Sequence, residues 1–411
     1  MVVQNIIYWR VTQMSKYYYD FHLGKSELGT SSVTLGYLKC LLNPLKRLES
    51  EIMNKYPISF FGKEDEVLRI LGAKRFFDEY DRMDENKYDT VVKYGQIKYI
   101  GFDDKGEIVF NFSPENEDDI QAYSTYDFKT QFLDEFHMSK YVAYCLKKGY
   151  QSLIRTNIES VLTLENSKEQ QFRFLTDRNN ERMIRGFTST RYYNYDNCVA
   201  IYLSFLSLHR YASQTGKSFS INRAYISDSY MHIFYEHEKC NEITGIGKVH
   251  LGIAVCNGEI KNKTFSARIR YRIMDTNGVK IFSGIYHEDL FSISHSLGIE
   301  KVEDKLNALS NLAEQENKVI NFIKDIHRID KLSEDAAHFV FTRLMRAINE
   351  SKDITNQTKK KFKEKEMKDL IDNSLSLISF LSKAETISTD IDERVFVERI
   401  CHKVAKELLD K

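Results

Sequence analysis

The run over residues 198–212 is apolar on nearly every face, with Val199, Ile201, Tyr202, Leu203, Phe205, Leu206 and Leu208 spread around the helical wheel. A helix of that kind has to be covered, on at least one side by a sheet. Strands for such a sheet follow at once. Residues 218–227 and 230–237 are joined by Asp228-Ser229, a spacing that predicts a hairpin. Residues 248–255 and 264–274 flank a turn over 256–262, and Asn277-Gly278 makes a tight turn before a strand over 279–285. Between Thr264 and Ile273 residue types alternate, so Arg268, Arg270 and Arg272 share one face, opposite Phe265, Ala267, Ile269, Tyr271 and Ile273. Upstream, 172–176 and 183–187 read as partner strands, and Asp196 stands where a helix N-cap belongs.

The flanks have other periods. Leu35, Leu38, Leu41, Leu42, Leu45 and Leu48 recur at helical spacing, with Pro44 as a kink or restart. Residues 64–80 predict a helix, and 97–102 with 107–112 a hairpin. Residues 125–149 are helical, with Phe132, Phe136, Tyr141, Val142, Cys145 and Leu146 as the apolar side. From residue 299 the period is helical to the end, with candidate helices at 299–329, 333–349, 357–381 and 391–409. The expected fold class is α+β: a central antiparallel sheet packed on a long apolar helix (166–298), a mixed N-terminal region (1–165) and a helical C-terminal region (299–411).

The chain has 59 basic and 59 acidic residues, so any attraction to nucleic acid has to come from a local patch. Its six cysteines have no zinc or redox spacing, which suits a reducing cytoplasm. The first residues lack the pattern of a signal peptide, and no run is apolar enough to span a bilayer. No metal or other cofactor is expected.

Four short runs, in one order, carry a resemblance. They are Phe187-Thr-Ser-Thr-Arg191-Tyr192 leading to Asp196-Asn197; Gly252-Ile253 leading to Asn257-Gly-Glu259; Tyr271-Arg272 leading to Asn277-Gly278; and His295-Ser-Leu-Gly298. Over residues 172–298 the chain resembles the phage/plasmid-like protein family, carried by bacteriophages, plasmids and integrated elements. The family has no settled activity, so the resemblance implies a mobile-element origin. There are departures: Thr190 stands in place of an acidic residue, Lys261 of a glycine and Asp275 of a cysteine.

Arg268, Arg270 and Arg272 form a candidate phosphate-binding stripe. Arg185 and Arg191 would add to it, and Tyr192 would stack on bases. The competing reading is a solvated sheet face. Glu259-x-Lys261 has the form found in metal-dependent nucleases, with Asp228, Glu236 and Asp275 as possible acidic partners, although Glu259 sits in a turn. His232 and His237 point to opposite faces of a strand, so they do not share a metal. His287, Glu288, Asp289 and His295 have the residue types of a metal cluster without its spacing. Lys359–Lys365 is the densest basic run, placed unfavourably at a helix start. The expected function is therefore non-enzymatic nucleic-acid binding in recombination or replication, with DNA, single-stranded included, as partner. The alternative is a protein-binding module acting on a host defence protein. Self-association is compatible with either; a membrane partner is not expected.

Overall fold

The computed structural model describes residues 20–84, 87–115, 117–176, 180–260, 264–275, 279–329, 332–364, 377–378, 381–382, 387 and 390–410. The fold is α+β, built on two sheets.

The chain opens with strand β1 (Asp20–Gly24) and a single helical turn, α1 (Lys25–Leu28). The leucine-rich run forms a 3-10 helix, Leu35–Leu41, and the chain restarts after Pro44 as α2 (Arg47–Lys55). Leu45 falls in the break and is 92% exposed, so it is no part of the apolar stripe. The helix expected from residue 64 begins only at α3 (Ala73–Asp84), because Gly72 has a left-handed φ of 84° that a continuous helix cannot pass. Just before it lies the short strand β2 (Ile70–Leu71).

A six-stranded sheet follows, from β3 (Lys87–Lys93), β4 (Ile97–Phe102), β5 (Ile108–Phe112) and β6 (Ile120–Ser124). Three helices cover it: α4 (Tyr126–Glu135), α5 (Ser139–Lys148) and α6 (Gln151–Leu164). The expected single stretch over 125–149 is thus two helices, parted where His137 takes φ 55°. The sheet is completed by β7 (Glu169–Thr176) and β8 (Arg182–Thr188), giving the order β3-β7-β8-β6-β5-β4. This corrects the assignment of 172–187 to the central sheet: β7 pairs along its length with β3, and β8 runs parallel to β6. The core of this lobe is aromatic, with Phe110, Phe112, Phe128, Phe132, Phe172 and Phe187 in contact.

The chain then enters the central helix, α7 (Asn197–Thr215), which ends at Gly216 in the left-handed conformation. Fourteen of its nineteen residues are buried, so it is enclosed on all sides. Phe205 packs on Phe76 and Phe77 of α3 and, edge-on, on Tyr235 of the larger sheet. The Tyr202 hydroxyl donates to the Tyr56 carbonyl, and the Arg69 N–H donates to His209 Nδ1. The N-terminal segment and the sheet are therefore the two walls around one helix.

The larger sheet contains β9 (Phe219–Ser227), β10 (Tyr230–His237), β11 (Asn241–Ile243), β12 (Gly247–Gly258), β13 (Phe265–Met274), β14 (Lys280–Ile285) and β15 (Phe291–Ile293). Its main order is β1-β9-β10-β12-β13-β14, antiparallel throughout; β2 joins β9 in parallel. β10 and β12 run so close together that a Cβ on Gly252 would collide with the Tyr235 carbonyl, and on its other side β10 shifts register against β9 at Phe234/Tyr235. His232 lies on the outer face and His237 on the inner one, stacked on Phe219.

The C-terminal region supplies α8 (Val302–Asn307), α9 (Leu312–His327), α10 (Glu334–Glu350, capped by the Ser333 hydroxyl), α11 (Asn356–Lys363) and α12 (Ile391–Leu409). α12 lies along the edge strand β14 and closes that side of the sheet. Most of the helix expected over 357–381 falls outside the described residues. Residues 20–84 and 195–405 share one hydrophobic core, so the three sequence regions do not coincide with the two cores.

Candidate functional site

Three of the four resemblance-bearing runs meet where the two sheets join, whereas Tyr271 and Arg272 of the other lie against His402 and Glu236. β12 ends against β8, and Gly186 makes the approach possible, since a Cβ there would run into Ile260. Beside it the Glu259 carboxylate is fully buried. Lys87 Nζ lies 3.0 Å from one oxygen, Arg185 Nη1 bonds the same oxygen, and the Asn197 N–H donates to the other at 3.0 Å. Burial alone would raise the Glu259 pKa; Lys87, Arg185 and Arg173 outweigh it and hold the carboxyl well below its usual range.

Arg173, also buried, donates through Nη2 to both oxygens of Asp196 (2.7 and 2.6 Å) and through Nε to Asp89 (3.1 Å). Burial pushes Asp196 up to about 7 against the pull of Arg173. Asp196 does occupy the N-cap position of α7, but its side chain caps nothing; it is turned to the arginine. Asp228, in the β9–β10 turn, is fully buried and is pushed up to about 7 by burial, with Asp127 adding to the shift. Its backbone carbonyl accepts from Arg185.

The neighbouring runs extend this network. Asn257 donates to Asn197 Oδ1 and to the Tyr195 carbonyl, both at 2.9 Å. The Tyr192 ring stacks on His295, with centroids 4.6 Å apart and planes at 9°. Tyr192, Asp196, Asn197, Asn257, Glu259 and His295 therefore lie together, joining three backbone segments. Arg191 is exposed at its edge. Asn277, Gly278 and Lys261 lie outside the described residues.

This geometry corrects several expected roles. Arg185 is wholly buried and spent on Glu259, so it cannot meet a phosphate. Tyr192 already has a ring on its face. The arginine stripe does share one side of β13, but it is not a free cationic surface. Arg270 pairs with Glu398 through two bonds of 2.9 Å and lies over the Phe234 ring. Arg272 pairs with Glu236 at 2.9 and 2.8 Å, and Arg268 with Asp289. The carboxylates come from β10, the loop after β14, and α12, none of them adjacent in sequence to β13. The nuclease reading fails at Glu259, whose charge is already met by a lysine and an arginine. His287 stacks on His402 and His295 on Tyr192, so they form no cluster. Among the described residues no group of three or more His, Cys, Asp or Glu side chains is placed to hold a metal ion.

A second surface went unread in the sequence. On α5 and α6, Val142, Cys145, Ile154 and Ile158 face the core, whereas Tyr141, Tyr144, Leu146, Tyr150 and Leu153 face outward. Tyr144 and Tyr150 meet edge to face, and Asn157 donates to the Tyr141 hydroxyl, so the tyrosines tie α5 to α6. Lys140, Lys147 and Lys148 stand exposed on the same helix, and no carboxylate among the described residues pairs with them. The missed signal was negative: residues 136–158 contain no Asp or Glu, in a chain that has 59. Among the described residues no helix is long and apolar enough to cross a membrane. No family model, no curated protein and no solved structure matches this chain.

Proposed function

We propose that the protein binds nucleic acid without acting on it chemically, and that its contact surface is the α5–α6 hairpin rather than the arginine strand. The observation that carries this reading is a run without Asp or Glu, residues 136–158, in which exposed Lys140, Lys147 and Lys148 stand with exposed Tyr141, Tyr144 and Tyr150. Lysines neutralise phosphates and release counterions, while tyrosine rings accept unstacked bases of any sequence. That pairing of groups favours single-stranded DNA or RNA. The setting we infer is cytoplasmic and of phage or mobile-element origin, in recombination or replication. It rests on the resemblance over 172–298, three of whose four runs lie together at the sheet junction.

The test is an anisotropy titration of labelled single- and double-stranded oligonucleotides at several salt concentrations. The wild-type protein should bind single strands with a steep salt dependence. Replacing Lys140, Lys147 and Lys148 together by Ala should lower the log–log salt slope by about 2, at roughly 0.7 for each phosphate contact, with an unchanged melting temperature. An intact slope removes this surface from the reading. Exposed Leu146 and Leu153 favour one alternative, an acidic host protein, if no oligonucleotide binds even at low salt.

A further inference from the structure

Strands β10 and β12 set His232 directly opposite Cys256 on the outer face of the larger sheet. His232 Nδ1 lies 3.1 Å from Cys256 Sγ, and His232 Nε2 lies 2.6 Å from Asp392 Oδ1, in the first turn of α12. Asp392 sits there because Asp390 caps the helix, accepting from the Asp392 and Glu393 N–H groups. A carboxylate only accepts, so the imidazole must present its Nε2–H to Asp392, which leaves the Nδ1 lone pair facing the thiol. This is the arrangement of a nucleophile, a base within reach of it, and a third group that orients the base. We propose that Cys256 is an activated nucleophilic thiol, a modification site for small hydroperoxides, with His232 as its base and Asp392 as the positioning residue.

The surroundings suit that chemistry. Arg399 lies within electrostatic reach of Cys256 and supplies a positive charge that favours thiolate, although Asp289 and Asp353 act on the same arginine. Burial would lower the His232 pKa, but Cys256 and Asp392 overcome it and push the imidazole up to about 9, so once Nδ1 has taken the thiol proton the resting state near neutral pH is an imidazolium–thiolate pair. Exposure sets the size of the reactant. Cys256 is 6% exposed and His232 4%, which excludes a folded substrate and restricts any reactant to a small molecule. In the reaction the thiol proton passes to Nδ1. The thiolate then attacks the distal oxygen of ROOH, an S–O bond forms and the O–O bond breaks. The leaving alkoxide takes the proton from Nδ1. Sulfur is oxidised by two electrons to Cys–SOH, and the hydroperoxide is reduced to ROH.

The test exposes the full-length protein to limiting hydrogen peroxide near neutral pH, traps sulfenic acid with a cyclic dione, and locates the adduct by mass spectrometry. Cys40, which is exposed, serves as the internal reference. Cys256 should be labelled before Cys40, and His232→Asn should slow it at least about tenfold. Asp392 is only partly buried, so Asp392→Asn provides the variant least disruptive to folding. In it the pH profile of Cys256 alkylation by iodoacetamide should move upward relative to wild type, with the Cys40 profile unmoved. Labelling of Cys256 no faster than Cys40 overturns the proposal, and so does a pH profile that Asp392→Asn leaves in place.

Discussion

At the junction of the two sheets Lys87, Arg173 and Arg185 face Asp89, Asp196, Asp228 and Glu259, most of them buried. Removing one partner from such a set strands the others. Glu259→Gln leaves two buried cations short of their counter-charge and should cost about 3–5 kcal/mol in urea unfolding. Asp228 behaves in the opposite sense. Burial raises it to about 7 in the folded protein, against an unfolded value of about 3.9. The folded state therefore holds that proton more tightly, and its contribution to stability is lost as pH rises from about 4 to about 7. Asp228→Asn should flatten this part of the stability–pH curve, read as a smaller fall in melting temperature between about pH 5 and about pH 8. Glu259, held low, has the reverse sign: its contribution is present above about pH 4.3 and is lost below it.

At the scale of elements, what is local in sequence was legible. The central helix, the β9–β10 and β4–β5 hairpins, and α12 fall where their periodicity and turn residues place them. What depends on distant partners was not. β7 and β8 read as strands, yet nothing in residues 169–188 says that β3 and β6 flank them rather than β9. The arginines of β13 are on the face that alternation predicts, but Glu236, Asp289 and Glu398 reach them only through the fold. α6 was missed because Leu153 and Leu164 lie on its exposed side and blur the apolar stripe. The register shift between β9 and β10 was equally silent, as was the close approach of β10 and β12 that Gly252 permits. Gly252→Ala should destabilise the protein by about 1–3 kcal/mol, because the colliding atom belongs to the backbone and cannot rotate away. A lowered urea midpoint with unchanged slope would be the signature.

At the scale of the whole molecule, the lobe formed by residues 87–188 interrupts the core that residues of 20–84 share with described residues between Tyr195 and Ala405. This order has a consequence for synthesis. Leu35, Leu38, Phe76 and Phe77 emerge from the ribosome early, but the helix and sheet that cover them are made only after the intervening lobe. At roughly 5–20 residues per second, that wait lasts on the order of 5–20 s. For that interval the N-terminal segment is an uncovered apolar chain, while the lobe beside it has all the strands of its own sheet. Nascent chains stalled after residue 194 should accordingly be cut by protease within residues 20–84 and spared within 87–188. Chains stalled beyond α7 and the larger sheet should be protected in both. Slower translation would lengthen the exposure, so the yield of this protein should depend on elongation rate and on chaperones that hold an unfinished N-terminus.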